Sequence, residues 1–98
     1  MVSVLAKRFL SDCNPQDAFW ANNGSVCRNI YELATCISGM NDATFLYHVN
    51  GDNVKNDFAK WIREVLGDDI LSQRLSDVKE KDRYIDIIRQ RINEEENS

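Results

Sequence analysis

The sequence predicts an all-α domain, a compact irregular bundle of four to five short helices. Three observations carry that expectation. Apolar residues recur at helical spacing over residues 30–40, 58–66 and 84–92. Asn and Asp stand where the helical patterns begin, and glycines close two of them. One proline, Pro15, and four glycines in 98 residues leave little material for a meander of short strands.

The elements follow in order. Residues 2–10 fit one or two amphipathic turns with Val4, Leu5, Phe9 and Leu10 apolar, ended by the stretch around Pro15. The pair Phe19-Trp20 runs into Asn22-Asn23-Gly24, a turn in which Gly24 supplies a positive φ. Asn29 caps the next helix, and Glu32 three residues later makes a capping box. Ile30, Leu33, Ala34, Ile37 and Met40 share one face, and Gly39 ends the helix in the C′ role. Asn41 caps a helix over residues 42–49 whose apolar side is Phe45, Leu46 and Val49; Asp42 suits its dipole.

Asn50-Gly51-Asp52-Asn53 is a loop. Asn-Gly suits a hairpin turn, but the flanks lack strand alternation. The next helix begins at Val54 or Asp57, carries the stripe Phe58, Trp61, Ile62, Val65 and Leu66, and stops at Gly67. Asp68 or Asp69 caps a short helix holding Ile70, Leu71 and Leu75. Asp77 with Glu80 caps a long last helix, whose face is Tyr84, Ile85, Ile88 and Ile92, broadened by Ile87. Residues 93–98 read as a frayed acidic tail, because carboxylates at a helix C-terminus oppose its dipole. The division is therefore one helical domain with a core over 19–92, an N-terminal extension over 1–18 and that tail.

Composition narrows the function classes. Hydrophobic content of 43% and charge of 29% fit a globular chain. Net charge is −4, with a pI near 4.9, and both signs are mixed along the chain. Lys79, Lys81 and Arg83 alternate with Glu80 and Asp82, which cancels the field a nucleic acid would need. Nucleic acid is therefore disfavoured as a partner; Lys55, Lys60 and Arg63 are the residues that reading would use. Three cysteines without a CxxC suggest no disulfide framework and fit a reducing cytoplasm, with Cys36 a small buried hydrophobe. No apolar run reaches the roughly 18 residues of a membrane span. The start does not read as a secretory signal.

His48 is the single histidine and the one side chain suited to general base work near neutral pH. Asp57 follows nine residues later, across the loop, so a helical hairpin would let the two meet. No nucleophile is placed beside them, and catalysis needs several convergent groups. The pair reads first as a pin for the corner, with no catalytic residue and no cofactor assigned. A zinc site lacks ligands. Residues 50–57 have the oxygen-rich composition of a calcium loop without its register or its closing Glu.

Phe19 to Gly24, NIYELATCISGM, and YHV with KNDFAKWIREVLGDDIL together resemble an uncharacterised prokaryotic, mainly archaeal, domain family. Its pattern of F-x-x-H, D-F-x-x-W-I and V-L-G-D falls on Phe45 to His48, Asp57 to Ile62, and Val65 to Asp68. The resemblance implies a small α-helical domain with no established activity, and it draws interest to His48, Asp57 and Trp61.

The expectation is a non-enzymatic protein-interaction or accessory module with an unidentified protein partner. A homodimer through the face broadened by Ile87 is a further possibility. Phe19, Trp20, His48, Asn53, Lys55, Asn56 and Asp57 would border the partner surface. The alternatives are nucleic-acid binding through the third helix, and a small site using His48 and Asp57.

Overall fold

Gly24, at φ +90°, reverses the chain between two short strands. The computed structural model describes residues 8–50 and 55–97. Strand β1 (Phe19–Trp20) pairs antiparallel with β2 (Val26–Cys27), with Phe19 opposite Cys27 and Trp20 opposite Val26. The turn is closed by the Gly24 N–H donating to the Ala21 carbonyl at 2.9 Å and the Ala21 N–H donating to the Ser25 carbonyl at 2.8 Å. Alternation turns Phe19 and Cys27 into the core and leaves Trp20 and Val26 exposed.

Helix α1 (Ile30–Gly39) begins where the Asn29 side chain accepts from the Glu32 N–H at 2.8 Å. The reciprocal half of the box is shifted by one residue: the Glu32 carboxylate accepts from the Arg28 N–H, not from Asn29. Gly39 stays inside the helix, and Met40 closes it with extended backbone, so the predicted glycine C′ cap does not form. Asn41 caps α2 (Asp42–His48) through the Thr44 N–H at 2.8 Å. There Phe45 and His48 turn inward while Leu46 is exposed, against the expected apolar side.

A second ladder follows. Strand β3 (Val49–Asn50) pairs antiparallel with β4 (Lys55–Asn56). Helix α3 (Asp57–Trp61) runs directly into a π-helical stretch, Ile62–Leu66, which Gly67 ends at φ +77°. Asp68 caps α4 (Asp69–Leu75) through the Leu71 N–H. Helix α5 (Lys81–Glu96) has Glu80 at its N-cap position with no side-chain cap, so the predicted Asp77–Glu80 pair does not form there. It continues through Glu96, past Ile92, where Arg74 pairs with Glu94 and Arg91 with Glu94 and Glu95, which offsets part of their opposition to the dipole.

The domain is thus mostly helical with two small antiparallel sheets, not the all-α helical bundle the sequence suggests. The reason is physical. A two-residue strand shows no period-two alternation, and each ladder forms because the adjoining turn and helices bring the two short segments together. The predicted turns at residues 2–10 lie partly outside the described residues. Within them residues 8–10 are helical, and Leu10 packs on the core.

Helix α1 lies along α5, and α4 bridges α3 and α5. Leu33, Ile37 and Ile88 between the two long helices are fully buried. Each contributes about 1.5–3 kcal/mol relative to an exposed side chain. An aromatic cluster fills the other half of the core: Phe58 lies 5.0 Å from Phe19, and Tyr84 lies 5.3 Å from Phe45 and 5.8 Å from Phe58, ring centre to ring centre. His48 packs on the edge of that cluster.

Candidate functional site

Helix α2 ends at His48 and α3 starts at Asp57, so the β3–β4 ladder folds the two residues onto each other. The His48 Nδ1 and Asp57 Oδ2 atoms are 2.9 Å apart. On the other side of the ring, Nε2 accepts a hydrogen bond from the Asn22 N–H at 2.9 Å. An N–H donor facing Nε2 requires a lone pair there, so the proton sits on Nδ1, which donates to Asp57. The tautomer follows from the geometry. Phe19 and Phe58 pack on the ring at 5.3 and 5.1 Å, and Tyr47 meets it edge-on at 5.0 Å. His48 is 4% exposed.

Both imidazole nitrogens are therefore engaged. The ring pins the β1–β2 turn to the α2–α3 corner, and its lone pair is spent on a backbone amide. This geometry is that of the corner pin the spacing suggests, with no lone pair left free on the ring. Its partner is the group that reaches the surface. The Asp57 side chain is 31% exposed, and the Lys55 Nζ stands 3.4 Å from the same Oδ2. The Lys55 ammonium also lies 4.0 Å over the Tyr47 ring.

Asn56 turns inward and ties three elements together. Its Oδ1 accepts from the Ala59 N–H, capping α3, and from the Tyr84 hydroxyl at 2.6 Å. Its Nδ2 donates to the Leu75 carbonyl at 2.9 Å. Burial pushes the Tyr84 phenol far above its ordinary value, which keeps it a hydrogen-bond donor.

The predicted surface residues thus separate. His48, Lys55, Asn56 and Asp57 meet at one corner. Phe19 is buried beneath them. Trp20, 70% exposed, lies on the opposite face of β1. Asn53 lies outside the described residues. Phe19, Trp20 and His48 do not form one exposed surface.

The corner opens onto a cleft of about 730 Å³. The cleft is lined by Val49, Asn50, Lys55 and Asp57, by Lys60 and Arg63, and by residues 76–79. Two struts set its width: the Asn56 amide to Leu75, and the Ser72 hydroxyl donating to the Ala59 carbonyl at 2.9 Å. Arg63 stands in the π-helical stretch. Such an interruption of an α-helix is frequent at functional sites, and here it places a guanidinium on the cleft wall.

Charge is buried at the other end of the domain. The Arg91 guanidinium makes a forked contact with Asp68, Nε to Oδ2 at 2.9 Å and Nη2 to Oδ1 at 3.1 Å, and also pairs with Glu94 and Glu95. Asp68, Arg91 and Glu95 are all buried. By its charge alone Arg91 reads as a surface cation. The signal was its place on the apolar face of α5, with Tyr84, Ile88 and Glu95 at spacings of seven, three and four residues.

The π-helical stretch, with Gly67 and Asp68 after it, thus joins the cleft to this charged cluster, and that run closes the sequence pattern around Asp57 and Trp61. A family model matches residues 22–96, from the amide that holds His48 to the end of α5. The chain belongs to this family of unknown function, DUF5752. The DUF5752 match spans His48, Asp57, the cleft and the Arg91 cluster. No curated protein and no solved structure matches the chain. Among the described residues, no three His, Cys, Asp or Glu side chains group to hold a metal ion, and no helix is long and apolar enough to cross a membrane.

Proposed function

We propose that this domain binds a small polar ligand in the cleft beside the His48–Asp57 pair. The observation that supports the reading is the division of roles within the pair. His48 is buried with both nitrogens committed, and it fixes a carboxylate that faces an open, strutted cleft. Structural corner pins need no cleft beside them, and a cleft walled by three elements presents polar groups at fixed separations. Asp57 and Lys55 contact the ligand. His48 positions Asp57.

The test is a ¹⁵N NMR screen of the folded domain against neutral, cationic and anionic small molecules. Amide shifts should concentrate on residues 55–63 and 72–79 for at least one class. Asp57→Asn, which keeps the shape of the side chain and removes its charge, should weaken that binding at least fivefold. A panel that leaves those amides unmoved, or moves Trp20 and Val26 instead, removes the proposal.

A further inference from the structure

We propose that the ligand carries a phosphate monoester, held by Lys60, Arg63 and Lys79. This inference rests on the cleft reading above and names its chemical class. The chain as a whole is acidic, at net −4. The cleft is not. Four cations line it, from β4, α3, the π-helical stretch and the segment before α5. Of these, only Lys55 is paired with a carboxylate among the described residues, at Asp57. Asp57 is already shared between His48 and Lys55. Asp77 is the one other carboxylate on the walls among the described residues. Lys60, Arg63 and Lys79 therefore line one cleft without a carboxylate partner among the described residues.

Like charges gathered in a cleft repel each other and concentrate the field there. A dianion relieves three cations more fully than a carboxylate does. Arg63 offers a planar fork that matches phosphate oxygens in pairs, and the two lysines add point charges. Asp57, fixed by His48 and lining the same cleft, accepts hydroxyl or amine hydrogens from the body of the ligand. The cleft exceeds the size of a phosphate ion, which leaves room for such a body.

The experiment is a ¹⁵N NMR titration with inorganic phosphate, glycerol 3-phosphate and acetate, at constant ionic strength. Saturable shifts confined to the cleft are expected for both phosphates, tighter for glycerol 3-phosphate, with acetate silent. Arg63→Gln and Lys79→Gln should each weaken glycerol 3-phosphate about tenfold, the scale of one charge-assisted contact. Arg83→Gln, an exposed cation of α5 away from the cleft, should leave it unchanged. Arg63→Lys should recover part of the loss. Equal response to acetate, shifts spread over all surface cations, or variants with undiminished affinity would overturn the phosphate assignment. So would an oligonucleotide that binds with a steep salt dependence while glycerol 3-phosphate is silent. Cleft shifts with non-phosphate ligands alone overturn this inference and leave the cleft proposal standing. No cleft shifts with any compound overturn both.

Discussion

Two polar clusters are buried in this domain, and they solve the same problem in opposite ways. At the α2–α3 corner, His48 is satisfied by one backbone amide and one carboxylate, and the carboxylate opens onto a cleft. At the α4–α5 end, one guanidinium, Arg91, is shared by Asp68, Glu94 and Glu95. There the neighbouring cavity, between residues such as Phe9, Leu66 and Ile92, is only about 10 Å³. Buried charges are costly unless paired, and in the second cluster the buried guanidinium of Arg91 has carboxylates on every N–H-bearing nitrogen. The first keeps charge at its edge. One is a brace, and the other leaves a carboxylate on an open cleft.

The largest expected effect lies in the brace. Arg91→Ala leaves Asp68 a buried carboxylate without its forked guanidinium partner. It should cost about 3–5 kcal/mol, the usual range for breaking a buried pair from one side. Urea unfolding followed by circular dichroism measures it. A loss below about 1 kcal/mol would mean that the cluster is solvated and that the contrast between the two ends is false. Replacing the network by apolar residues of similar volume should recover much of the loss, because it also removes the desolvation cost.

The corner should respond less. His48→Phe keeps the ring contacts with Phe19 and Phe58 but leaves the Asn22 N–H and Asp57 without their partner. The expected loss is about 2–3 kcal/mol, the scale of two hydrogen bonds, one of them to a charged group. The same residue offers a sharper check. ¹⁵N spectra of the imidazole should show Nδ1 protonated and Nε2 bare near neutral pH. The opposite tautomer would break the argument that Asn22 occupies the lone pair, and would return His48 to the role of a free base.

Much of this contrast was legible in the chain, and the failures have causes. Asn29, Asn41 and Asp68 stand at helix starts as their side-chain chemistry requires, and Gly67 stops its helix because it takes a positive φ. His48 and Asp57 could be paired from spacing alone, since a chain reversal between two helices was evident. Their roles could not. The amide that fixes the tautomer belongs to Asn22, 26 residues earlier, in a turn whose docking no local pattern announces. The strands were invisible for a similar reason: Val49–Asn50 and Lys55–Asn56 are too short to carry a period, and tertiary contacts select the ladder. Arg91 was hidden by its charge, which reads as surface until its place on the apolar face of α5 is weighed.

Tyr84→Phe probes the strut between the two ends. The Tyr84 hydroxyl donates to the Asn56 Oδ1, which also caps α3, so its loss leaves the acceptor with one partner. About 1 kcal/mol is expected. The cleft-side amides of residues 55–59 should shift more than those near Arg91. A uniform response would show that the corner and the brace move as one body.

The smallest effect tests the exposed rim of the brace. Glu94 is held below the usual carboxylate range by its hydrogen bond to Arg74 and, next, by Arg91. A depressed folded-state pKa makes ionisation stabilising. That contribution is complete above the unfolded value of about 4.5 and is lost as pH falls through the lower folded value. Glu94→Gln should therefore reduce stability slightly near neutral pH, and the gap from the parent should close in acid. Because the pair is open to solvent, the gap should also shrink in salt. The buried Asp68–Arg91 contact, tested in the same salt series through Arg91→Ala, should hardly respond. If both gaps shrink together, water reaches the inner pair, and the distinction between a closed brace and an open corner loses its electrostatic basis.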